Sequence, residues 1–217
     1  MFEISKKEKI IAIFAILAGI FYFIGENITL YKANISTFTA YIGYSVSELA
    51  VPFGDIYNGA ISTLSPLAHL LNFQLIFLGV MVLIINFTLV KKCISKYKYL
   101  FYLLTLILGF GYFIVAIFHT GGPNSEGMHR LGAMMLFFGG SFLVLFIGLF
   151  ADANPTYKKI ALILGIIGLI GGVIFCLIKV DPVFSVYRGF FERGNIYSTI
   201  IWLIVTGGYL ITNKISN

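Results

Sequence analysis

Charge is scarce in this sequence. Only 11% of its residues are Asp, Glu, Lys or Arg, against about 25% in a soluble domain. A chain so poor in charge cannot cover a water-facing surface, so a soluble globule is excluded. Cysteine is nearly absent. Cys93 lies in a lysine-rich stretch and Cys176 near the far end of an apolar run; that puts them at opposite membrane faces and rules out a bridge between them. No C-x-x-C occurs, which removes the signal for dithiol chemistry or a structural zinc. His69, His119 and His129 form neither an H-E-x-x-H motif nor an i, i+4 pair, so neither a metal nor another cofactor is expected. Ser62, Ser65 and Ser125 stand in no nucleophile-elbow motif; no reaction is assigned, and enzymatic activity is neither claimed nor excluded. No charged residue falls in the middle of any long apolar run. Ion-coupled pumps and voltage sensors need such groups. Among transporters this leaves a facilitator lined by groups such as Asn72, Gln74, Asn86 and Thr206. There is no internal repeat and no low-complexity tract.

Apolar residues are what the chain has in abundance: 59% of it is hydrophobic, with a mean hydropathy of +0.96. A helix needs about 20 apolar residues to cross about 30 Å of hydrocarbon. Six runs meet that length, at about 10–31, 69–90, 99–119, 128–150, 160–178 and 196–212. The expected fold class is all-α: a polytopic membrane protein of six transmembrane helices, forming a single integral domain over 1–217. Lys6, Lys7 and Lys9 ahead of the first run imitate a signal peptide. That run is long, lacks a small-residue cleavage site and is followed by five more, so it is read as a retained helix.

The lysines set the orientation. The N-terminus, the second and fourth connections and the C-terminal segment with Lys214 hold ten of the fifteen basic residues, all of them lysine. The positive-inside rule then puts both termini in the cytoplasm, with the protein in the cell membrane. The same rule explains the net charge of +6 without a nucleic-acid partner. The three arginines and three histidines all fall at the opposite, outer border. An orientation signal needs only positive charge. Arginine's planar fork and histidine's titratable ring point to something more specific there.

Two outer connections stand out. The first, about 32–66, is long, weakly charged and rich in aromatics (Phe38, Tyr41, Tyr44, Phe53, Tyr57). It is expected to lie on the membrane surface or to fold over the helix ends. Its Asn34 and the nearby Asn27 begin N-x-S/T sequons, a pattern common by chance. The other is the hairpin HTGGPNSEGMHRLGAMMLFFGG at 119–140, with His119, His129 and Arg130. Glu26 lies 16 residues beyond Ile10, roughly 24 Å along the first helix, where a lone carboxylate is costly. The last outer connection adds Lys179, Asp181, Arg188, Glu192 and Arg193.

Each of these has a bland role. Arg193 and Lys179 serve as snorkelling anchors, Glu192 as a cap, His69 as a boundary residue, and Glu26 as half of a salt bridge. The small residues of the fourth and fifth runs, such as Gly139, Gly140, Gly165 and Gly168, serve bundle packing. The sharper reading is an outer-face pocket that binds or modifies the head group of a lipid or similar amphiphile. In it Glu26, Arg130, Arg188 and Arg193 bind the ligand, with Arg193 as the anion clamp. His129 and Glu192 are the candidate catalytic groups. Membrane lipids are then the partners. The rival readings are an accessory subunit, whose partners are the other protein subunits of a membrane complex, and a small-solute facilitator.

Three segments carry a family likeness: Ile61-Ser62-Thr63-Leu64-Ser65 followed by Leu71-Asn72 and Gly79; His129-x-x-x-Ala133 with Phe137 or Phe138; and Gly189-x-x-Glu192-Arg193 with Ile196-Tyr197 and Trp202. In this order, on six spans, they resemble the prokaryotic membrane family known as domain of unknown function 998. The resemblance covers nearly the whole chain. It implies a six-helix integral membrane protein with no established reaction, and it brings His129, Glu192 and Arg193 forward together. The family pattern has an aspartate (I-S-D-L) where this chain has Thr63, so an activity needing that carboxylate is not implied here. A looser likeness to lipid-remodelling six-helix membrane proteins extends to the fold only.

Overall fold

In hydrocarbon a backbone N–H or C=O has no partner but another backbone group, so each apolar run closes into a helix. The computed structural model describes residues 5–178 and 184–212. The first span is α1 (Lys6–Lys32), begun by a capping box: the Glu8 N–H donates to the Ser5 hydroxyl and the Ser5 N–H to the Glu8 carboxylate. The second and third spans are α4 (Ala68–Thr88) and α5 (Lys98–Ile117). The fourth has three parts: α6 (Glu126–Met134), a π-helical turn (Met135–Gly139) and α7 (Gly140–Phe150). The fifth is α8 (Pro155–Ile178), and the sixth is α9 (Arg188–Thr212). These form six helices long and apolar enough to cross a membrane, and the protein is an all-α, multi-pass membrane protein. Lys179, Asp181 and Lys214 lie outside the described residues.

Two helices begin five or more residues earlier than the hydropathy predicts. The fifth starts at Pro155 instead of 160, because proline at the first helical position loses no hydrogen bond. The sixth starts at Arg188 instead of 196. Arg188, Glu192 and Arg193 are thus helical residues, not parts of a connection; their polarity hides two turns from a hydropathy reading.

The spans pack in chain order, each against the next, and α9 returns against α1 to close the ring. The fourth span changes partner along its length. Below the π turn it packs on α8: a Cβ on Gly148 would sit 2.8 Å from the Leu162 backbone nitrogen, and one on Gly165 2.8 Å from that of Leu145. Above it the close approach is to α5, where a Cβ on Gly132 would sit 3.0 Å from the Val115 nitrogen. A π turn adds one residue to the helical circuit and leaves a carbonyl without its usual partner. Here the Phe137 carbonyl accepts from the Ser141 hydroxyl (2.7 Å) and from Asn195 Nδ2 (3.2 Å). α6 packs with α5, whereas α8 packs with the π turn and α7.

The connection between α1 and α4 folds over the helix ends. It holds α2 (Thr37–Gly43), α3 (Val46–Leu49) and an antiparallel hairpin of β1 (Ile56–Tyr57) and β2 (Ala60–Ile61). Asn58 and Gly59, both at positive φ (48° and 82°), make its two-residue turn, the geometry that Asn-Gly favours. At the other end of the bundle the connections are stitched together. Lys92 pairs with Glu8, Ile94 bridges Ala151, and the Asp152 N–H donates to the Cys93 carbonyl at 2.6 Å. The Cys93 thiol is buried there, and burial pushes its pKa up to about 11.

Candidate functional site

The first turns of α9 carry the residues that hold the folded connection down. Glu26 on α1 is 0% exposed and Arg193 1%. Arg193 Nε donates to Glu26 Oε1 at 2.7 Å, and the Tyr197 hydroxyl donates to Glu26 Oε2 at 2.9 Å. Arg193 Nη1 donates to the carbonyls of Tyr41 (2.7 Å), Tyr44 (2.8 Å) and Gly189 (3.1 Å), and the guanidinium lies over the Tyr41 ring. This close seating needs a glycine at 189, where a Cβ would meet the Tyr44 carbonyl oxygen at 2.3 Å. One helical turn spaces Arg188 and Glu192 on the same face. Glu192 accepts from the Val46 N–H and from the Ser47 hydroxyl (2.9 Å). Arg188 grips Glu48 with both prongs, Nε at 2.9 Å and Nη2 at 2.7 Å. Glu48 also closes the capping box of α3 and accepts from the Tyr57 hydroxyl at 2.5 Å. Burial and this neighbouring carboxylate push the Tyr57 phenol well above its ordinary pKa, so it stays a donor.

The connection between α5 and α6 faces this assembly. The Asn58 N–H donates to the Gly121 carbonyl at 3.0 Å, joining the β-hairpin to it. Gly121 has φ +73°, and a Cβ there would lie 2.3 Å from the Tyr57 ring, so only glycine suits both demands. The Glu126 carboxylate accepts from the Gly121 N–H (2.5 Å), the Thr120 hydroxyl (3.1 Å) and Arg130 Nε (2.7 Å). His129 is buried; its Nδ1 donates to the Phe118 carbonyl at 2.6 Å, which places a ring proton on Nδ1 and sets the ring's orientation. His119 lies 3.8 Å from Asp55, and His69 is exposed.

Between these parts lies a cavity of about 540 Å³. Its polar lining comes from the folded connection (Ser45, Ser47, Glu48, Tyr57, Asn58), the α6 region (Thr120, Glu126, His129, Arg130) and α9 (Arg188, Glu192), with Ser185 just before it. Its apolar lining is Ala133, Met134 and Phe137 of the fourth span and Phe175 and Cys176 of α8. Phe137 and Phe175 meet edge to face, 5.3 Å between ring centroids. A narrow crevice continues past His129 and Glu192 towards Leu75, Val115 and Ile196. The cavity occupies the space left where α6 parts from α8.

His129, Arg130, Arg188 and Glu192 thus share one cavity, whereas Glu26 and Arg193 stand outside its lining. Arg193 commits Nε to Glu26 and Nη1 to carbonyls. Among the described residues, no group of three or more His, Cys, Asp or Glu side chains is placed to hold a metal. Glu48 and Glu126 carry no signal of a site in the sequence, and Tyr57 stands out there only as one aromatic among several. Two signals of local structure were there to find: Ser45-x-x-Glu48 has the capping-box spacing, and Asn58-Gly59 is a hairpin turn dipeptide.

Residues 35–209 match the profile of a family described as protein of unknown function (DUF998). The chain belongs to this family. The DUF998 match takes in the folded connection, the cavity lining and five of the six spans, but not Glu26. Thr63, where the family pattern has aspartate, is exposed and lies outside the cavity lining; its carbonyl accepts from Asn34 Nδ2 at 2.5 Å. Neither a curated protein nor a solved structure matches the chain.

Proposed function

We propose that the cavity receives the polar head of a membrane amphiphile, with the chain of that molecule lying along its apolar wall. One observation carries this reading: a single cavity grades from Glu48, Glu126, Arg130 and Arg188 on one side to Met134, Phe137 and Phe175 on the other. A water-soluble solute has no use for the second wall and an alkane none for the first. The apolar wall belongs to membrane-spanning helices at a place where two of them part, which suits a ligand that comes from the bilayer. The lysine distribution supports an outward-facing cavity.

In this reading the head group meets His129, Glu126 and Glu192, with Arg130 at the rim, while Arg188 and Glu48 tie the folded connection, which covers the cavity, to α9. Arg193 and Glu26 act at one remove, by fixing the cover. No chemical step is assigned. The test is native mass spectrometry of gently extracted protein, wild type beside Ala133→Trp, with unfolding midpoints as the control for folding. Ala133 lines the cavity, and an indole there intrudes on its apolar side. A bound amphiphile present in the wild type and lost from the folded variant is the expected result. Equal retention in both, or a bare chain in both, overturns the reading.

A further inference from the structure

The amphiphile reading leaves the head group open. The charges of the cavity narrow that choice, which rests on the amphiphile reading itself. Among the described residues, three carboxylates line the cavity, Glu48, Glu126 and Glu192, against two guanidinium groups, Arg130 and Arg188, and the His129 ring. Both guanidinium groups are already answered: Arg188 is held by Glu48 with two hydrogen bonds, and Arg130 by Glu126. A purely anionic head would compete with a carboxylate for each arginine.

Glu192 is the group left over. Its side chain is 1% exposed, and its hydrogen bonds come from two neutral donors, the Val46 N–H and the Ser47 hydroxyl. A carboxylate has about four acceptor positions. The cation next to it on the helix, Arg193, bonds Glu26 and the carbonyls of the cover and lies outside the cavity lining. Among the described residues, no cationic side chain donates to Glu192.

We propose that the cavity selects a zwitterionic amphiphile bearing a primary ammonium. The ammonium lies against Glu192 and Glu126, and the accompanying phosphate turns to Arg130, whose side chain is 71% exposed at the rim. A quaternary ammonium has the charge but no N–H to give, and a polyol has donors without the charge, so both fit less well.

The experiment titrates the purified wild type, in a mild detergent, with four lipids of identical acyl chains. Their heads are phosphoethanolamine, phosphocholine, phosphoglycerol and an uncharged sugar, and bound lipid is read by native mass spectrometry. The ethanolamine head is expected to be retained about tenfold over the glycerol head, a gap of about 1.4 kcal/mol, with choline and sugar between them. Glu192→Gln should bring the ratio to about one. Because Glu192 also holds α3, Glu126→Gln serves as a second variant and should narrow the ratio. Retention of the glycerol or sugar head at parity with ethanolamine overturns the proposal. So does an unchanged ratio in both folded variants. If no lipid is retained, or if Ala133→Trp retains all four like the wild type, the amphiphile reading itself fails. Retention that Ala133→Trp abolishes, without preference among heads, sinks only the ammonium.

Discussion

Arg193 shows how much one buried side chain can be asked to do. Its guanidinium joins α1, the cover and α9 through Glu26 and the carbonyls of Tyr41, Tyr44 and Gly189. Removing one partner of a buried pair leaves an uncompensated charge, which costs about 3–5 kcal/mol. Arg193→Ala should therefore lower the unfolding midpoint in detergent sharply. Glu26→Gln should do so less, since an amide still accepts from Nε. A stability within about 0.5 kcal/mol of wild type for Arg193→Ala would show that Arg193 does not hold these elements together. Cys93 offers a second test at this scale. Its pKa of about 11 means that the thiol stays protonated to high pH, and the thiolate is the nucleophile. Maleimide labelling of Cys93 in the folded protein should be slow near pH 7, rise with pH towards 11, and become fast on unfolding. Single residues of this site were partly legible in the sequence. Glu26, His129, Arg188, Glu192 and Arg193 stand out as polar groups beside apolar runs. Their partners do not, because Arg193 bonds mainly to carbonyl oxygens, which any sequence supplies, and Glu48 is an ordinary acidic residue until the chain folds it against Arg188.

At the scale of elements, apolar length finds all six spans but misplaces the ends that polar residues build. The start of α9 is the clearest case: Arg188, Glu192 and Arg193 read as a connection because hydropathy counts them as exposed, yet Glu192 and Arg193 are buried and hydrogen-bonded. The π turn at Met135–Gly139 has no hydropathy signature either. It becomes visible only through Asn195 and Ser141, which take up the Phe137 carbonyl. Asn195 Nδ2 also donates to the Gly168 carbonyl at 2.6 Å, so one amide ties the fourth, fifth and sixth spans together. Asn195→Leu strips those bonds and should cost about 1–3 kcal/mol. If the turn is what parts α6 from α8, the same variant should also weaken lipid retention; a destabilised protein with wild-type retention would separate the turn from the cavity. The β-hairpin makes a further test. Gly121→Ala places a Cβ against the Tyr57 ring at a positive φ, a strain of about 1–3 kcal/mol. It should loosen the hairpin from the α5–α6 connection and raise protease cleavage near Asn58.

For the whole molecule, closing the ring with α9 on α1 brings residues 167 positions apart, Glu26 and Arg193, into one bond. The two ends of the bundle then differ in kind. One is stitched by short connections bearing lysines; the other is covered by a folded segment above a charged cavity. This asymmetry gives the orientation a direct test. Phe38 on α2 is 78% exposed and Tyr99 at the start of α5 is 90% exposed, and they lie at opposite ends of the bundle. In a background with Cys93 and Cys176 replaced by serine, Phe38→Cys should react with a membrane-impermeant maleimide applied to intact cells. Tyr99→Cys should react only after the membrane is opened. The reverse pattern would turn the cavity towards the cytoplasm. The ligand would then have to come from the inner leaflet, and ten of the fifteen basic residues would face outward against the positive-inside rule.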